Sequence, residues 1–208
     1  MKRFLKRMNR GLVLAVVLLA VLVVYIMIDS TAFKSSRPDI QAQVEAYLEA
    51  VKAVNLEEPS QKTEEAKMLM EQYWCSAESI MTNMDSAMTK RGGLDYLDRL
   101  DSQGGDYTRL TAYKDMTGEV QVSKNGPGCA KATVDYSVSV ESQQKLPEEG
   151  YRILGLQGDS YYYYGGGMTG DGDGTQMDAQ YTLTFLLYEK DGAWKIGSVD
   201  YQINDGKY

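Results

Sequence analysis

"YEKDGAWKIGSVDYQ", residues 188–202, decides the fold. Asp191 and Gly192 form a two-residue turn between runs rich in β-branched and aromatic residues, a strong local signal for an antiparallel hairpin. Its arms are "AQYTLTFLLYEK" (179–190) and "AWKIGSVDYQIN" (193–204). Upstream, Val134, Tyr136, Val138 and Val140 alternate with Asp135, Ser137, Ser139 and Glu141, the pattern of a strand buried on one face. "KNGPG" (124–128) turns the chain before it, and residues 108–115 and 119–124 read as two further strands. "YRILGLQGDSYYYY" (151–164) leads as another strand into a glycine-rich loop.

Before residue 108 the apolar period is helical. Ser36 with Asp39 makes a capping box, followed by Ile40, Val44, Tyr47, Val51 and Val54 at spacings of three and four. "EEPS" (57–60) ends that helix, and Ser60 can cap a longer one striped by Ala66, Met70, Tyr73, Ala77, Ile80, Met84 and Met88. Leu94, Leu97 and Leu100 suggest a short third helix. Helices first and antiparallel strands after them make an α+β chain, with the N-terminal helices packed on one face of a curved antiparallel sheet.

Residues 1–10 hold Lys2, Arg3, Lys6, Arg7 and Arg10 and no acid. "GLVLAVVLLAVLVVYIMI" (11–28) then carries no charge. Eighteen residues span about 27 Å as a helix, close to the bilayer's hydrocarbon thickness. The reading is a cytoplasmic basic tail (1–10), a transmembrane helix (11–28), a stalk (29–37) and an extracytoplasmic domain (38–208), oriented by the positive residues. That places the chain in the cell membrane as a single-pass protein with the C-terminal domain outside. A signal peptide cleaved after Ala32 is the rival reading.

The closing hairpin resembles that of the NTF2-like superfamily, in which a charged residue and Asp-Gly precede Trp-Lys-Ile, here Lys190 to Ile196. The likeness extends over residues 38–203 and implies an NTF2-like (cystatin-like) cone, a curled sheet around helices with a pocket inside. One membrane anchor before one such domain is also similar to the VirB8 and TcpC scaffold proteins of conjugative secretion. The resemblance therefore implies a non-enzymatic interaction or scaffold subunit of an envelope complex, with conjugative (type IV) secretion as its most concrete version. A small-ligand-binding cone and an enzyme using Tyr and Asp in the cone are the alternatives.

Composition narrows the chemistry. The 22 Lys and Arg less the five of the tail leave 17 against 29 acids, so the exported part carries formal charge −12. Such a domain repels phosphate backbones, which excludes nucleic acid as its partner. The absence of histidine removes Ser-His-Asp and Cys-His machinery and most catalytic zinc sites. Asp135 and Asp200 sit at alternating positions that read as solvent-facing, and an acid sealed beside a tyrosine would be the mark of catalysis. No cofactor or metal is expected. Asp171, Asp173, Thr175 and Asp178 imitate a calcium loop, but Gln176 replaces its glycine and Thr182 its bidentate acid.

Two features remain. Cys75 and Cys129 both lie off the apolar stripes, and two outward thiols outside a cell favour a disulfide between them. Tyr161, Tyr162, Tyr163 and Tyr164 precede Gly165, Gly166 and Gly167. Strand parity can bury only one tyrosine pair, so this stretch reads either as a plain long hairpin or as a candidate protein-contact loop. The expected partners are the membrane and other envelope proteins, with self-association left open.

Overall fold

The structure, a computed structural model, describes residues 10–75, 109–146, 153, 156, 169–170 and 174–204. Elements are numbered among these. Chain contacts divide the molecule into two units, Met1–Pro38 and Asp39–Tyr208.

Helix α1 (Arg10–Leu56) runs through 47 residues with Pro38 inside it. The capping box expected at Ser36 does not start a helix. The Ser36 hydroxyl instead donates to the Ala32 carbonyl at 3.1 Å, one turn back, so the residues expected as a stalk are helical. In the first unit the large apolar side chains from Leu14 to Ile28 are 46% to 66% exposed. This is one helix long and apolar enough to cross a membrane.

In the second unit Ile40, Val44, Tyr47, Leu48, Val51 and Val54 form the buried stripe of α1, as the spacing predicts. Helix α2 (Lys62–Tyr73) starts from Gln61 without a side-chain cap, where Ser60 was expected to supply one. It stops at Tyr73 because Trp74 turns extended and pairs in parallel with Ile196. The expected continuation through Ala77 to Met88 and the third helix lie outside the described residues.

The strands are β1 (Leu110–Thr117), β2 (Gln121–Lys124), β3 (Cys129–Ser142), β4 (Thr169–Gly170), β5 (Gln176–Lys190) and β6 (Ala193–Ile203). β3 and β5 form the antiparallel spine, from Cys129 opposite Tyr188 to Glu141 opposite Gln176. β1 and β2 flank β3, while β4 and β6 flank β5. Ala132, Val134, Val138 and Val140 face inward with Phe185, Leu183, Ala179 and Met177 opposite them. The β5–β6 turn has positive φ at both Asp191 (52°) and Gly192 (79°), the mirror-image turn whose twist suits paired strands.

Tyr47 ties helices to sheet. Its ring meets Tyr73 at 5.5 Å and Phe185 at 6.0 Å, both edge-on, and its hydroxyl accepts from the Trp74 indole N–H at 3.1 Å. A Tyr or Trp this deeply buried needs a partner for its polar end, and here each supplies the other.

Candidate functional site

The inward face of β1 and β3 holds a polar cluster. Tyr113 and Asp115 lie two residues apart on β1, opposite Val140 and Val138, and so share the face of Tyr136. The Tyr113 and Tyr136 hydroxyls are 2.8 Å apart and buried. Beyond burial, the Asp115 carboxylate lies near enough to raise the Tyr136 phenol further. From α1, Lys52 Nζ reaches Asp115 Oδ1 at 2.8 Å. The Lys52 side chain keeps 32% of its exposure and that of Asp115 only 7%, so the lysine caps the carboxylate from the solvent side.

Burial raises both phenol pKa values, Tyr113's further through Tyr136, so both stay protonated across the physiological range. The hydrogen bond from Lys52 to Asp115 raises the ammonium, as its charge does. Beyond Tyr136 its register partner Tyr181 has a phenol pushed by burial to about 12 and packs edge-on against Tyr201 at 5.6 Å. Among the described residues no buried side-chain nitrogen or oxygen lacks a partner. The arrangement can hold a small polar molecule against Asp115 and the two hydroxyls once Lys52 moves aside.

Asp135 and Asp200 are exposed, and Asp135 accepts from Thr182 Oγ1 at 2.8 Å. The acid sealed beside a tyrosine is Asp115, which strand alternation alone does not single out. The register slips between Leu110 and Ala112, so Leu110 and then Tyr113 and Asp115 face inward although their parity differs. The only signal in the sequence is the spacing of Tyr113 and Asp115 two apart.

The expected disulfide does not form: Cys75 and Cys129 are free thiols, both half-buried. Cys75 does not sit on a helix but on the extended segment whose N–H donates to the Ile196 carbonyl at 2.8 Å on β6. Cys129 pairs with Tyr188 on β5, which pairs with Lys195 on β6. Three strand spacings, about 14 Å, separate the two, about twice the Cα reach of a disulfide. Burial raises the Tyr188 phenol, as does the neighbouring Cys129 thiol, and Asn125 Nδ2 donates to that sulfur at 3.6 Å. Burial raises the Cys75 thiol, opposed by Lys190 and Lys195.

Tyr161 to Tyr164, Gly165 to Gly167, Asp171 and Asp173 lie outside the described residues. Asp178 is exposed on β5 opposite Ser139 and Thr169. Among the described residues no three His, Cys, Asp or Glu side chains group as metal ligands.

No protein-family model matches the chain, and no curated protein matches it in sequence. Among solved structures it is similar to an IcmL-like type IV secretion system protein from Legionella pneumophila, with TM-score 0.43, 11% identity, and coverage of 79% of this chain and 93% of that one. A protein with a cystatin-like fold from Caulobacter vibrioides gives TM-score 0.39 and 15% identity over 83% of this chain and 92% of that one. A hexachlorocyclohexane dehydrochlorinase (LinA) Type2 gives TM-score 0.32 and 8% identity over 53% of this chain, which spans about half (55%) of that chain. Likenesses at this level assign no family.

Proposed function

We propose that this chain is a single-pass membrane protein whose C-terminal domain, an NTF2-like cone, lies outside the cytoplasm and works by binding other envelope proteins. The observation that carries the reading is the exposed apolar run from Leu14 to Ile28, which no described part of its own unit covers and which a bilayer would. Five basic residues precede it, which orients the domain outward. Mutually satisfied polar groups and large side chains on the inward face favour recognition through the outer surface over chemistry inside. An assembly subunit of a conjugative secretion system is the concrete version that the sequence resemblance implies.

Carbonate-washed membranes should retain the full-length chain, and protease added to intact cells should digest a C-terminal tag. A soluble product beginning at Phe33, or a tag protected until the cells are opened, would overturn the topology.

A second reading has an observation of its own in the Asp115–Tyr136–Tyr113 cluster, which meets the criterion of a sealed acid beside a tyrosine. A small polar ligand or a proton transfer would then use the inward face. Under that reading a compound that raises the melting temperature of the full chain loses its effect on Asp115→Asn. If every stabilising compound acts equally on both chains, the cluster serves only structure.

A further inference from the structure

On the outward face of the sheet Lys114 of β1 and Glu141 of β3 form an ion pair at 2.6 Å, and the other outward charges of β3 and β5 fall in two separate groups. On β3, Lys131 and Asp135 are exposed on either side of half-buried Thr133. On β5, Lys190 and Asp178 are exposed on either side of Thr184, each six residues away. Thr133 and Thr184 are register partners, and the strands are antiparallel. Both lysines therefore lie on one side of the Thr133–Thr184 row and both aspartates on the other.

We propose that this face is the interface of a homodimer whose two-fold axis lies along the Thr133–Thr184 row. Rotation about that axis preserves each strand's column and exchanges the two ends of the sheet. Lys131 then faces Asp135 of the partner subunit, and Lys190 faces Asp178 of the partner subunit. Each contact occurs twice, as an isologous interface requires. One chain thus supplies both halves of the charge complementarity, which is the reason for assigning the face to a second copy.

The size fits. With the axis at Thr133, the fifth residue of β3, positions 129–137 of β3 and 178–190 of β5 overlie their own copies, roughly 36 positions over four strand columns with the flanking strands, each about 3.3 Å by about 4.8 Å. That footprint, on the order of 570 Å² per copy and about 1,100 Å² in all, clears the roughly 1,000 Å² expected of a biological interface. Threonines on the axis are small enough for two sheets to approach to about 10 Å. Asp200, opposite Thr184 on β6, lies on the same row and would approach its own copy. Its carboxylate accepts from the Tyr201 N–H at 2.9 Å, and the twist of two facing sheets carries such outer strands apart.

This inference does not depend on the membrane reading, because a soluble chain would pair through the same face. The test uses the full-length chain with Cys75→Ser and Cys129→Ser, so that only an introduced thiol reports. Thr184→Cys, on the axis, should give dimers with a short bifunctional maleimide. Gln176→Cys, eight residues along β5, should not. Lys131→Glu with Lys190→Glu should lower the Thr184→Cys dimer at least tenfold, as should Asp135→Lys with Asp178→Lys. Mixing the two charge variants under different tags should restore a cross-link between them, because acids at all four positions then meet lysines at all four. The wild-type dimer should also weaken as salt rises. No dimer at Thr184→Cys, equal cross-linking at Gln176→Cys, or a dimer indifferent to charge reversal would each overturn the proposal.

Discussion

The ring of Tyr188 lies across Gly197 on the outward face, so that a β-carbon built on Gly197 would overlap the ring edge. Gly197 falls where the β5–β6 register slips between Leu186 and Leu187, leaving β6 one extra residue. That extra residue lets Ile196 and Val199 both face inward despite opposite parity. The bare glycine gives the ring a place to lie, and the ring covers backbone that glycine leaves uncovered.

Gly197→Ala should therefore destabilise the chain by about 1–3 kcal/mol, because the ring must leave its place over the backbone. Chemical denaturation of the two proteins measures this. A Gly197→Ala chain as stable as wild type would show that the ring moves without cost.

Because the two thiols sit about three strand spacings apart, reducing agent should leave the melting temperature unchanged. Alkylation after unfolding without reductant should label both Cys75 and Cys129. Finding one chain's thiols joined would mean that the strand order separating them is wrong.

Lys62 opens α2 fully buried, and burial lowers its ammonium to about 8 against the opposing charge of Glu58. Its folded pKa lies below its unfolded one, so the unfolded chain holds more protons in between, and stability rises with pH from about 8 to about 10.5. The gain is up to about 3 kcal/mol by the usual conversion of pKa differences. Urea midpoints between neutral and alkaline pH should shift in favour of wild type relative to Lys62→Met. A gap that stays constant with pH would contradict the assignment.

Tyr136→Phe removes the hydroxyl bonded to that of Tyr113, leaving a buried group short of a partner at a cost of about 1–3 kcal/mol. Adding Tyr113→Phe should cost less than the two single changes summed, since both act on one hydrogen bond. Strict additivity in a double-mutant cycle would mean that the two hydroxyls are not coupled.

Much of the fold was legible because its signals are local. The Asp191–Gly192 turn needs positive φ at two successive residues, and that pair adopts it with little penalty. The alternation from Val134 to Val140 and the stripe from Ile40 to Val54 place their residues as read, because strand and helix geometry set which neighbours share a face. Where an element ends was less legible. Ser36 looks like a helix start, yet with helix continuing before it the same hydroxyl satisfies the carbonyl one turn back.

The sequence by itself determined the α+β order of elements, the closing hairpin, the apolar run of residues 11–28 and the outward parity of Cys129. Only the tertiary structure decided that Cys75 and Cys129 stay apart, since the order β3–β5–β6 and the Trp74–Ile196 pairing set their separation. It also decided that Asp115 is sealed between Lys52 and Tyr136. That outcome rests on a register slip and on a helix 63 residues away in the chain. Periodicity reports which side a residue takes relative to its near neighbours. A bulge or a distant strand changes what that side meets without altering the pattern around it.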